Sequence, residues 1–221
     1  MVYFNAAILT IAIQSSLMIS MLLRNIIFAR LLSPEDFGIA MTFGVVLLLF
    51  EYISNFGHEN LMQRSPNGNR LAFQATVHST LIFRGVVVAL LILSLSPFIA
   101  SFLKISPEVF NYSILAIVPL TNAFVHTDHQ RFHRNHDYKA TAKVSILADI
   151  LSIGVALVCV SIWNNYWAFY ISFVFRHSIG TLFSHIWAIR PYLLRLKKKY
   201  LIELWLFGCL LYTSPSPRDR G

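Results

Sequence analysis

Apolar residues in this chain come in long runs rather than in alternation. From residue 4 to residue 189, stretches of Ile, Leu, Val, Phe and Ala are broken only by short polar interludes. A helix needs about 20 mostly apolar residues to cross the hydrocarbon core of a bilayer. Six stretches meet that need, at 4–28, 37–56, 73–103, 110–126, 144–162 and 166–189, and a seventh begins at 201–208. The pattern predicts an all-α polytopic membrane helix bundle. Pro97 is expected to kink or end the third span and Pro119 to kink the fourth, because proline removes a helix hydrogen bond. Gly180, Ser184 and Ala188 recur every four residues, a small-residue stripe that suits close packing of helices in lipid.

The interludes add a direction. Arg64 and Arg70 follow the second stretch, Arg131, Arg134, Lys139 and Lys143 the fourth, and Arg190, Arg195, Lys197, Lys198 and Lys199 the sixth. The opposite loops carry Lys104, with Arg30 at the edge of the first turn. Basic loops stay on the cytoplasmic side, so the N-terminus is expected in the cytoplasm and the turn at 33–36 outside. Trp163 and Trp167 flank Asn164-Asn165 at an outer turn, where interface aromatics belong. The first five residues hold no basic residue and the apolar stretch behind them is too long for a signal peptide, so the first span reads as retained.

Composition agrees with this class. Some 56% of residues are hydrophobic and only 13% charged, with mean hydropathy +0.61, against about 45–50% and about 25% in soluble domains. The net charge of +8 is accounted for by topology. It forms no basic face and accompanies no recognition fold, so a nucleic-acid partner is not expected. Two cysteines, Cys159 and Cys209, give neither a disulfide framework nor a ligand spacing.

Charges inside the spans are the candidate chemistry: Arg24, Glu51, Arg84, Asp149, Arg176 and His177. A charge in hydrocarbon costs about 2.5–3.5 kcal/mol on insertion scales, so it faces the bundle interior or a wet cavity. Arg24, Arg84 and Arg176 together would make a cationic lumen, and guanidinium groups match phosphate and carboxylate bidentately. The alternative is internal pairing, Arg84 with Glu51 or Arg176 with Asp149, with Arg24 snorkelling to the surface. His126, Asp128, His129, His133 and His136 crowd one loop at spacings that suit a metal site. No second cluster accompanies them, and the expectation is no metal and no cofactor. No phosphate loop, nucleophile elbow or catalytic cluster stands out, so the chain is not expected to be an enzyme.

Residues 209–221, Cys-Leu-Leu-Tyr-Thr-Ser-Pro-Ser-Pro-Arg-Asp-Arg-Gly, break the pattern. They resemble the translation of a transposase sequencing adapter, so residues 1–208 are expected to be the natural part. The alternative is a genuine short polar terminus.

Three blocks carry a family resemblance. The first is Ala29-Arg-Leu-Leu-Ser-Pro-Glu-Asp-Phe-Gly38, where Ser33 can cap the next helix, Pro34 fits its first turn, and Glu35 and Asp36 favour its positive end. The second is Asn55-Phe-Gly-His-Glu-Asn-Leu-Met-Gln-Arg64. The third runs from Arg131-Phe-His-Arg134 through Asp149 and Tyr166-Trp-Ala168 to Leu204-Trp-Leu-Phe-Gly208. Together they resemble the Wzx-type oligosaccharide flippases, the polysaccharide-exporter branch of the multidrug/oligosaccharidyl-lipid/polysaccharide exporter superfamily. Many relatives carry an acidic residue where this chain has Asn55. The resemblance implies a two-lobed bundle around a central cavity, of which this chain is the N-terminal lobe and by itself inactive. It implies movement of a polyprenyl-pyrophosphate-linked oligosaccharide across the bacterial inner membrane by alternating access. The product would feed O-antigen, capsule or exopolysaccharide assembly, with membrane lipid and a polymerase or other assembly protein as partners. The candidate substrate-binding residues are Arg24, Arg84 and Arg176, with Glu51, Asp149 and His177 as ion-pair or coupling partners. A drug or metabolite exporter of the same superfamily, or a membrane enzyme acting on polyprenyl-linked sugars, is the alternative.

Overall fold

A computed structural model describes residues 2–55, 57–105 and 111–213, with side chains between residues 7 and 208 of these. Among the described residues every regular element is helical. The order is α1 (Val2–Leu31), α2 (Pro34–Ser54), α3 (His58–Arg64), α4 (Leu71–Phe102), a 3-10 turn (Tyr112–Ala116) leading into α5 (Ile117–Ala123), α6 (Asp128–Phe132) with a 3-10 turn behind it (His133–Asn135), α7 (Lys139–Ile162), α8 (Tyr166–Ile186) and α9 (Lys198–Thr213).

Among the described residues four stretches are long and apolar enough to cross a membrane: Ala7–Leu31, Pro34–Ser54, Leu71–Phe102 and Lys139–Ile162. They are apolar on all sides rather than on one stripe, as membrane helices are. Large side chains accordingly point outward: Ile53 is 80% exposed, Phe102 76% and Phe83 73%. A water-soluble chain would not leave such a surface bare. This is an all-α membrane helix bundle. The sixth stretch forms α8, as long as α2 but more polar, with Arg176, His177, Ser178 and Thr181 in its second half.

The fourth stretch departs from expectation. Its start at 110 lies outside the described residues, and its helical part, Tyr112–Ala123, is 12 residues long. At about 2.0 Å per 3-10 residue and 1.5 Å per α residue it covers roughly 20 Å, short of a bilayer core. Asn111 Oδ1 accepts from Ser113 N at 3.0 Å, which starts the segment as a 3-10 turn. Pro119 falls in the first turn of α5, where its missing N–H costs nothing. Pro97 does not end α4, which runs on to Phe102.

Packing does not follow chain order. α7 lies between α1 and α8, α5 sits between α4 and α8, α2 rests on α8 and α4, and α9 lies against α3 and α4. At Gly85 the backbone of α4 comes so close to α5 that a Cβ there would stand 2.7 Å from the Pro119 carbonyl oxygen. At Gly180 of the small-residue stripe, a Cβ would meet Ala148 Cβ of α7 at 3.9 Å, an ordinary contact.

Two clusters hold the bundle. Near the Ser33 turn, fully buried Phe43 meets Tyr112, Tyr166, Phe169 and Tyr170 edge-on at 6.3–6.5 Å, a favoured arrangement of ring quadrupoles. The turn closes this end. Ser33 Oγ accepts from Asp36 N at 3.1 Å and donates to Asp36 Oδ2 at 2.7 Å, and Asp36 Oδ1 accepts from Tyr166 N at 3.4 Å. One short motif thus caps α2 and reaches the start of α8. The second cluster, around Met62, Phe73 and Leu204, lies at the other end, among the basic loops.

Candidate functional site

The polar side chains carried by the apolar helices converge at the level of α3. Arg84 stands on α4, Glu51 and Ser54 on the last turn of α2, Asn122 on α5, Asp149 on α7, and Arg176 and His177 on α8. α3 and α6, both foreign to the span pattern, add Glu59 and Gln130. α3 starts where Gly57 takes φ 64°, a left-handed conformation open to glycine. Asn55 Oδ1 accepts from Gly57 N at 2.9 Å, so the chain leaves α2 through an Asx turn and re-enters helix at His58.

These elements enclose a cavity of about 310 Å³, with Glu51, Glu59, Arg84, Gln130, Arg176 and His177 on its wall. A smaller space of about 70 Å³ adjoins it, sharing Glu51, Arg84, Asn122 and His177. Both lie within the apolar bundle. Arg176 Nε donates to Asp149 Oδ1 at 2.7 Å, and Asp149 is buried and also accepts from Ser16 Oγ at 3.4 Å. Of the two pairings the sequence offered, this one is formed. Arg84 does something different: Nε donates to Ser54 Oγ at 3.0 Å and Nη2 to the Glu51 carbonyl oxygen at 3.2 Å. These bonds fix the guanidinium against the C-terminus of α2, where the helix dipole favours a cation. His177 Nδ1 lies 3.0 Å from Asn122 Oδ1, with its ring 4.8 Å from that of Phe173. Gln130 Nε2 donates to Glu59 Oε1 at 2.7 Å.

Of the three candidate arginines, the structure brings Arg84 and Arg176 to one wall with Glu51 and His177. Arg24, half-buried on α1, does not line this wall; it lies within electrostatic reach of Arg176, Asp149 and His177. The lining is therefore mixed in charge. Glu59, Asn122 and Gln130 also line the cavity and are not among the candidates that the sequence singles out. Glu59 and Gln130 lie in segments that flank spans, whose polarity loops share, and Asn122 is an uncharged residue inside the fourth stretch.

Below the cavity the helices are joined by hydrogen bonds. Asp128 is fully buried and accepts from Arg131 Nε at 2.7 Å, Gln74 Nε2 at 3.4 Å, Ile189 N at 2.9 Å and Arg190 N at 3.2 Å. Burial alone would raise its pKa. The Arg131 hydrogen bond and charge and the two amides outweigh burial and hold the carboxyl at about 2. Arg134 Nη1 donates to the carbonyls of Met62, Gln63 and Ser65 at 2.9, 2.9 and 2.5 Å, satisfying acceptors that the end of α3 leaves open. The crowded histidines are part of this network. His126 Nδ1 accepts from Asp128 N at 3.1 Å, and His129 Nδ1 donates to the His126 carbonyl at 2.8 Å. Burial lowers the pKa of His129 to about 4. Among the described residues no group of three His, Cys, Asp or Glu side chains is placed to hold a metal ion.

No curated protein and no solved structure matches this chain. The model of a family described as polysaccharide biosynthesis protein does match it, over residues 27–215, from the end of α1 into the residues beyond α9. With long apolar helices and that match over most of its length, the chain belongs to the polysaccharide biosynthesis protein family.

Proposed function

We propose that this protein is a Wzx-type flippase lobe that carries a lipid-linked oligosaccharide across the bacterial inner membrane for surface polysaccharide assembly. The observation that carries the reading is the 310 Å³ cavity: a polar, arginine-bearing space walled by apolar helices in a member of a polysaccharide family. A sugar head linked through pyrophosphate is polar and anionic, and lipid alone offers it nothing. Arg84 and Arg176 offset the cost of bringing phosphate into low dielectric. Glu51, Glu59, Asn122 and Gln130 supply hydrogen-bond partners of the kind hydroxyls use. The basic loops support a cytoplasmic position for the α3 and α6 end of the cavity, the side on which a lipid-linked sugar would be loaded. Release outside follows when this lobe rocks against a second one, as in repeat-built transporters. Transport without bond chemistry requires no cofactor, and a polymerase or other assembly protein receives the product.

The test is replacement of Arg24, Arg84 and Arg176 singly by Ala in a full-length homologue that carries both lobes, in cells whose surface polysaccharide depends on it. Loss of a charge-assisted contact to phosphate is expected to cut export by about tenfold or more for Arg84 and Arg176. Unchanged export in all three variants, at equal protein level, would sink the proposal.

A further inference from the structure

Arg84 faces two spaces of opposite character. One is the polar cavity. The other is a groove of about 270 Å³ between α4 and α9, with Thr80, Phe83, Leu201, Leu204 and Trp205 along it and Arg84 and His58 at its polar end. Arg84 and His58 line both. We propose that the groove holds the isoprenoid chain of a polyprenyl phosphate whose phosphate sits on Arg84 while its sugar occupies the cavity. This rests on the transport reading above and names the path of the lipid.

Depth supports the assignment. α4 has 32 residues, roughly 48 Å at 1.5 Å per residue, against a bilayer core of about 30 Å. Arg84 stands roughly 20 Å from the first residue of α4. Even if all the excess length protrudes at the basic end, Arg84 lies inside the core. A guanidinium held there by Ser54 and the α2 C-terminus is matched to an anion that reaches the same depth, and phosphate fits it bidentately. The groove opens beside the guanidinium itself, since Arg84 lines it together with Leu201, Leu204 and Trp205. Phe83 and Trp205 are 73% and 67% exposed, so the groove is open sideways and a chain enters it from lipid without crossing the bundle. A single groove headed by one guanidinium suits a one-chain lipid phosphate rather than a two-chain phospholipid.

The experiment uses the chain purified into phosphatidylcholine nanodiscs and a polyprenyl phosphate bearing a diazirine on its isoprenoid chain. Photolysis should place adducts on residues 201–205 and 80–83. Unlabelled undecaprenyl phosphate should remove them, and neither undecaprenol nor inorganic pyrophosphate should. Arg84→Ala and Leu204→Trp should each lower labelling by about tenfold. Thr80→Trp fills the groove from the other wall and guards against misfolding of one variant, with helicity checked for each. Adducts that persist in Arg84→Ala, or equal competition by phosphatidylglycerol, overturn the proposal. Labelling is read without transport. A protein that exports nothing yet labels at α9 keeps the groove and loses the transport reading; normal export with no adduct at α9 does the reverse.

Discussion

The two ends of this bundle are held by different forces. At the Ser33 end, Phe28, Phe43, Tyr112 and Phe169 fill space, and bonds such as Tyr166 N to Asp36 and the Tyr170 hydroxyl to the Ile114 carbonyl are set among these rings. At the basic end, side chains reach across the fold: Asp128 accepts from two amides of the segment after α8, Arg134 donates to three carbonyls around the end of α3, and the Glu203 carboxylate accepts from the Ser65 hydroxyl and the Asn67 side-chain amide. The difference follows from what each end must do. Lipid gives apolar side chains no reason to prefer each other, so close packing has to hold the first end. The second end gathers broken helices whose terminal amides and carbonyls need partners, and a satisfied network there is rigid because each lost bond strands another buried group. The cavity sits directly above that network, so α3 and α6 are positioned by hydrogen bonds as well as by the Met62 and Phe73 cluster.

The sharpest way to break this comparison is one substitution at each end. Asp128→Ala strands Arg131 and the Ile189 and Arg190 amides and is expected to cost about 3 kcal/mol. Phe43→Leu keeps an apolar side chain in place and is expected to cost about 1 kcal/mol. Unfolding in mixed detergent micelles, followed by helicity, measures both. If Phe43→Leu proves the costlier, the basic end is not the one held by its polar network.

Acid should act on one end alone. The ordinary histidine pKa is about 6.5, and that of His129 in the folded protein is about 4. The unfolded chain therefore takes up a proton at this site before the folded one does. The stability contributed by neutral His129 is complete above pH 6.5 and is lost as pH falls from 6.5 towards 4. Asp128, depressed from about 3.8 to about 2, adds its own loss only below that window. Thermal unfolding in detergent should fall between pH 6.5 and 4, and His129→Gln should flatten the slope. A wild-type profile flat across that window would contradict the buried, neutral His129 on which the network is built.

The same contrast explains what could be read from the sequence. Apolar runs fixed α1, α2, α4, α7 and α8 to within a few residues, because a membrane span is a one-dimensional property of the chain. The Ser33 cap was legible because capping is local. Arg84, Arg176 and His177 were legible because a charge inside an apolar run is rare and has to face something. α3 was not: its seven residues are too few for a period, and it depends on the left-handed Gly57 before it and the Arg134 guanidinium behind it. The fourth stretch has the apolar content of a full span, which does not reveal the 3-10 start after Asn111. Glu59 and Gln130 come from segments polar enough to pass for loops, and only tertiary placement turns them towards the cavity.

The smallest effect expected belongs to the most recognisable residues. Ser33 caps α2 through its hydroxyl, and removing a serine cap costs about 1 kcal/mol. Ser33→Ala loses the bond from Asp36 N and the bond to Asp36 Oδ2, but Asp36 keeps its place in the first turn, where the dipole favours it. The cavity is built from other residues, at the level of α3 and the end of α2. Ser33→Ala should therefore lower stability by about 1 kcal/mol and leave export unchanged, whereas Arg84→Ala should lower export. A folded Ser33→Ala protein that no longer exports would mean that the turn itself moves during transport, and that the quiet end of the bundle is part of the machine.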